Sequence, residues 1–120
     1  MIVFEMLYII FCIILAAINA DLIKHEKRIY HWLNGIIHLT AAFICGWLYW
    51  WPGVIIILCN SRLFFDVLLN VFRGLPIDYV PANPKSFADK WEKKIFGNNG
   101  ILPKIIYLAV SIALNIIYLI

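Results

Sequence analysis

The chain has 120 residues, of which 64% are hydrophobic and 14% charged, and it carries a formal net charge of +3. A soluble chain this short has too little interior to hide so much apolar surface, so the composition excludes an ordinary soluble domain and points to a membrane protein. At roughly 20 residues per crossing, four crossings fit, with one connecting segment left over.

The first apolar run, Met1 to Ala20, is interrupted only by Glu5 and Asn19. Its small residues Ala16, Ala17 and Ala20 would suit a cleaved signal peptide, but the basic residues Lys24, Lys27 and Arg28 follow the apolar core instead of preceding it. The run is therefore predicted as an uncleaved span over residues 2–20, with the basic cluster after it on the cytoplasmic side. Glu5 and Asn115 lie near the outer ends of the first and fourth spans, where they could bond each other, although snorkelling to the head groups accounts better for Glu5. The second span, 31–51, ends in Trp47, Tyr49, Trp50 and Trp51, an aromatic cluster suited to the bilayer interface. Pro52-Gly53 is predicted to break the helix, and the third span, 54–72, follows at once to make a tight antiparallel hairpin. That span closes at Arg73, with Gly74 as its C-terminal cap.

Residues 74–102 form a cytoplasmic loop in which Pro76, Pro81 and Pro84 keep the first half irregular. Ser86 with Asp89 reads as a capping box opening a short helix that sets Phe87, Trp91 and Ile95 at four-residue spacing, with Lys90, Lys93 and Lys94 among the other positions, until Gly97-Asn98-Asn99-Gly100 stops it. Such a helix lies on an anionic membrane surface or packs on the bundle as a linker. The fourth span is 103–120, and every Lys and Arg except Arg62 then falls on the cytoplasmic side, which puts both termini outside. The expected fold is a single all-α domain: an integral membrane bundle of four transmembrane helices plus a short cytoplasmic interfacial amphipathic helix.

The third span also carries Arg62, Asp66, Asn70 and Arg73 at spacings of four, four and three, a polar stripe on an otherwise apolar helix. The second span carries His31, Asn34 and His38 on one face. Counting outward from Pro52-Gly53 places His38 level with Asp66, Asn34 with Asn70 and His31 near Arg73, while Arg62 can pair with Asp66 in its own helix. Ionisable groups at such depth face a protein interior, pair with one another or serve a site. Three readings compete. The seven residues could form an interhelical network that fixes the register of the bundle, or His38 with Asp66 could handle protons or ions. In the third, His38 and Asp66, with His31 as an optional third member, bind a metal or act as acid and base while Arg62 and Arg73 hold an anionic head group. Neither a known catalytic motif nor a cofactor motif is present, so no cofactor or metal is assigned. Cys12, Cys45 and Cys59 lack metal-ligand spacing and are expected to be small buried hydrophobes.

The run from Arg62 through Arg73-Gly74-Leu75-Pro76 to Asp78-Tyr79-Val80, with Pro84-Lys85-Ser86 and Asp89-Lys90-Trp91-Glu92-Lys93-Lys94, resembles small polytopic membrane proteins of phage or prophage origin. That resemblance covers about half the chain and implies a role at a bacterial inner membrane, such as lysis or superinfection exclusion. The chain matches holins in size and charge and departs from them in its Arg62–Asp66 pair and long loop. The leading expectation is a non-enzymatic membrane protein that acts by assembly, with altered permeability, holin-like or ion-handling, as its route. The alternative is a membrane-embedded enzyme or metal protein acting on a lipid-linked anion through His38 and Asp66. Its partners would be the lipid bilayer and a second copy or another membrane protein; the charge follows from topology and calls for no nucleic acid.

Overall fold

The computed structural model describes residues 1–27, 31–84 and 86–119. Its elements are α1 (Ile2–Lys24), α2 (His31–Asn60), a π-helical turn (Ser61–Phe65), α3 (Asp66–Phe72), α4 (Phe87–Phe96) and α5 (Ile101–Leu119), with no strand among the described residues. Three helical stretches are long and apolar enough to cross a membrane: Ile2–Lys24, Trp32–Phe72 and Ile101–Tyr118. Their outer faces are apolar, with Val3 70%, Phe43 72% and Trp47 83% exposed. A surface of that kind belongs to a small membrane protein.

The middle stretch, 41 residues long, doubles back on itself. Trp50 has φ 68 and ψ −171, far from helical values, and the arms before and after it pack together, with the His38 and Phe65 rings 4.9 Å apart. The break therefore falls two residues before Pro52-Gly53, where the sequence placed it. Pro52 instead sits in the first turn of the second arm, a position at which its missing N–H removes no helical bond. Glycines let the arms approach: a Cβ on Gly53 would stand 3.0 Å from Cys45 Sγ, and one on Gly46 would overlap the Val54 side chain. The Tyr49 carbonyl beside the break accepts the Tyr118 hydroxyl of α5.

The core brings together Tyr8, Cys12, Ala16, Ala42, Cys45, Ile57 and Phe65. From α1 the buried residues are Glu5, Tyr8, Cys12, Ala16 and Asn19, one stripe of small and polar side chains at spacings of three and four. All three cysteines are buried and free, in keeping with the expectation that they serve as packing residues. Glu5 does not snorkel. Its Oε1 accepts from Asn60 Nδ2 at 3.1 Å and Asn115 Nδ2 at 2.9 Å, and Asn60 Oδ1 accepts from Ser111 Oγ at 2.9 Å, so one polar knot joins α1, the second arm of α2 and α5.

α3 closes with Gly74 at φ 72 and the Leu75 N–H donating to Asn70 O at 2.9 Å, a glycine cap of the Schellman type. The connecting segment then runs to Ser86, whose hydroxyl accepts the Asp89 N–H at 3.2 Å and opens α4. Gly97, at φ 63, stops it. Asn99 Oδ1 accepts from the Ile101 and Leu102 N–H groups to start α5. Gly100 lies so close to the Asp78 carbonyl that a Cβ there would overlap it, which ties the beginning of the segment to its end.

Candidate functional site

The site is centred on Arg62, in the π-helical turn. Ser61 Oγ donates to Leu58 O at 2.7 Å, a local bond at the point where the α-helical ladder gives way. A π-turn adds one residue and rotates the downstream side chains by about 100° relative to a continuous α-helix. As a result Phe65, not Asp66, faces His38. The expected His38–Asp66 pair is not formed.

Asp66 instead pairs with Arg62, Oδ2 to Nη1 at 2.7 Å, as the four-residue spacing predicts. Two further carboxylates arrive from α4: Arg62 Nη2 donates to Asp89 Oδ1 at 2.6 Å and to Glu92 Oε2 at 2.6 Å, and Nε donates to Glu92 Oε1 at 2.9 Å. The contact with Glu92 is bidentate, the arrangement for which a planar guanidinium is suited. Glu92 Oε1 also accepts the Tyr107 hydroxyl of α5 at 2.6 Å, and Asp89 Oδ2 accepts Ser86 Oγ at 2.6 Å. One cation thus gathers three anions from the π-turn's own helix and α4, with α5 holding one of them. Among the described residues no group of three or more His, Cys, Asp or Glu side chains is arranged to hold a metal ion; the carboxylates converge on the guanidinium.

His38 is held by α1. The Tyr8 hydroxyl and Nδ1 share a hydrogen bond of 2.6 Å, which leaves the imidazole's other polar group unsatisfied. That group is the buried Nε2, which has no hydrogen-bond partner among the described residues. Asn34 does not meet Asn70; it exchanges amide bonds with Asn19 of α1, at 2.9 and 3.5 Å. Asn70 is buried and Arg73 is exposed, and Arg73 forms no ion pair among the described residues. The side chain of His31 lies outside the described residues.

Beside this cluster is a cavity of about 1250 Å³. Ile23, Trp32, Leu39, Phe87, Trp91 and Ile95 give it apolar walls, while His38, Arg62, Asp66 and Asn70 line its polar side, joined by Arg73 and Lys104. Comparison with protein-family models, curated proteins and solved structures returned no match. The site therefore has to be read from its own chemistry. A space of this size with long apolar walls and a few grouped charges suits a molecule that is itself part apolar and part charged.

The residues missed from the sequence were those outside the two expected stripes. Asp89, Glu92 and Tyr107 looked like parts of a surface helix and a plain span. Tyr8 and Asn19 did have a signal, the stripe Glu5, Tyr8, Cys12, Ala16 and Asn19, whose small and polar character marks the face of α1 that packs on other helices.

Proposed function

We propose that this protein is a small integral membrane protein that binds an anionic, lipid-like amphiphile in the cavity beside Arg62. In this reading both arms of the doubled-back stretch cross the bilayer, giving four crossings with the termini outside and residues 74–102 connected on the cytoplasmic side, in line with the one-sided distribution of Lys and Arg. The observation that carries the proposal is the lining of the cavity: apolar along one side, with Arg73 and Lys104 lacking a carboxylate partner among the described residues. Arg62 does not supply that charge, because three carboxylates surround it. The protein acts by binding and assembly in this reading; His38 and Asp66, the pair an acid–base site would need, do not meet, His38 facing Phe65 and Asp66 pairing with Arg62.

The test uses Gly35, which lines the cavity and whose Cβ would meet nothing within 4 Å. Gly35→Trp fills the space without disturbing the helices around it. In nanodiscs containing a photoactivatable anionic phospholipid, the wild-type protein is expected to crosslink at cavity residues, and Gly35→Trp to lose at least fivefold. Arg73→Gln with Lys104→Gln should abolish the preference over a zwitterionic analogue. Equal crosslinking of wild type and a folded Gly35→Trp variant would overturn the proposal.

A further inference from the structure

α4 has its charges on the inside. Asp89 and Glu92 reach Arg62, and Glu92 also reaches Tyr107. Phe87, Trp91 and Ile95 lie roughly 130° away around the helix and are 78%, 47% and 66% exposed. The helix buries none of its ten residues, so the groups that fix it in place are the inward carboxylates and Lys93, which donates to the carbonyls of Pro81 and Ala82 at 3.1 and 2.6 Å. A helix resting on the bundle from the water side would show the opposite pattern, apolar face in and carboxylates out.

The depth of its partners decides where such a helix sits. Arg62 is nine residues past Gly53 and ten before Phe72, about 14 and 15 Å along the helix, so it lies near the middle of that arm. Tyr107 is six residues into α5, about 9 Å from its start. Glu92, bonded to both, is at the level of the spanning helices, with Asp89 beside it on Arg62.

We propose that α4 is a re-entrant helix set into the cytoplasmic half of the bilayer, with Phe87, Trp91 and Ile95 against lipid acyl chains and Asp89 and Glu92 turned inward onto Arg62. Lipid is the occupant that the surroundings of the stripe select. Lys90 and Lys94 border it, positioned to extend to anionic head groups, and Lys94 Nζ lies 5.0 Å from the centre of the Trp91 ring. In the irregular chain before α4, Tyr79, Pro81 and Asn83 line the cavity, the setting in which non-helical backbone is tolerated at membrane depth. The inference rests on the crossing of the bilayer by the second arm of the doubled-back stretch and by α5; because Phe87, Trp91 and Ile95 also line the cavity, it opens the cavity's apolar wall toward the acyl chains.

The experiment places a nitroxide on single cysteines introduced at Ile95, Phe43 and Lys27 in the full chain, with Cys12, Cys45 and Cys59 replaced by alanine, in lipid nanodiscs. Collision rates with oxygen, which concentrates in lipid, and with a water-soluble nickel chelate report the surroundings of each label. Phe43 on the outer face of α2 is the lipid reference, and Lys27 after α1 is the water reference. The expected result is an oxygen-to-nickel ratio at Ile95 within about twofold of that at Phe43 and at least tenfold above that at Lys27. A ratio at Ile95 matching Lys27, while Phe43 reports lipid, would overturn the re-entrant helix and leave the membrane crossings standing. A Phe43 label that reports water would instead remove the crossings on which the inference rests.

Discussion

Replacing Arg62 with methionine tests the centre of the molecule. The guanidinium makes ion pairs of 2.7 Å with Asp66 and 2.6 Å with each of Asp89 and Glu92, and its side chain is only 18% exposed. Methionine fills much of the same volume, so the change mainly removes the cation and leaves three carboxylates facing one another. Breaking a buried pair by removing one partner costs about 3–5 kcal/mol, and with three anions uncompensated the upper part of that range is expected. Glu92→Gln is the counterweight: Arg62 keeps Asp66 and Asp89, and the amide oxygen can still accept from Tyr107, so the loss should be about 1–2 kcal/mol. The gap of about 2–4 kcal/mol corresponds to roughly thirtyfold to several hundredfold in the unfolding equilibrium. Titration of each variant from mild detergent into SDS, followed by tryptophan fluorescence, measures both. If Arg62→Met loses less than about 1 kcal/mol, or if Glu92→Gln loses as much as Arg62→Met, then the cluster is not held by the guanidinium.

Three other changes probe separate contacts by the same titration or by thermal unfolding. Gly46→Ala should destabilise the protein by about 1–3 kcal/mol through overlap with Val54, and Val54→Ala in the same chain should recover at least half of that loss; no recovery would mean that the arms do not meet there. Glu5→Leu removes the acceptor for Asn60 and Asn115 and should cost about 2 kcal/mol, whereas Glu5→Gln keeps an oxygen in place and should cost less than half as much. Equal losses would show that the two amide bonds contribute nothing. Gly100→Ala meets a carbonyl, not a flexible side chain, so it should lower stability by about 2 kcal/mol or more and should not be relieved by trimming Val80. A neutral Gly100→Ala would contradict the close contact with Asp78.

Much of the helical framework was legible because it rests on local signals. The apolar runs, the Gly74 cap, the Ser86–Asp89 cap and the stop at Gly97 each depend on residues within a few positions of one another. The Arg62–Asp66 pair was legible for the same reason, being four residues apart on one helix. The rest of the site was not, and the causes are specific. A π-turn has no residue signature of its own, yet the single residue it adds moved Phe65 into the place expected for Asp66. The approach of Asp89 and Glu92 to Arg62 spans 27 and 30 positions, and a helix with three lysines and an apolar stripe carries no local mark of which way its carboxylates turn. Tyr118 and the Tyr49 carbonyl are 69 positions apart, so periodicity within either helix could not pair them.

The sequence distances in the Arg62 cluster also set an order of events during synthesis. Asp66 emerges four residues after Arg62 and can pair with it inside the helix that carries both. Asp89 and Glu92 follow 27 and 30 residues later, a delay of roughly one to six seconds at ordinary elongation rates, and Tyr107 follows after that. During that interval the arginine has one neutralising partner on its own helix, and the remaining two arrive with a helix made only afterwards. Asp66 is thus the carboxylate made together with Arg62 on one helix, while Asp89 and Glu92 can join only once α4 exists, contacts that the finished structure shows side by side but that the ribosome separates in time.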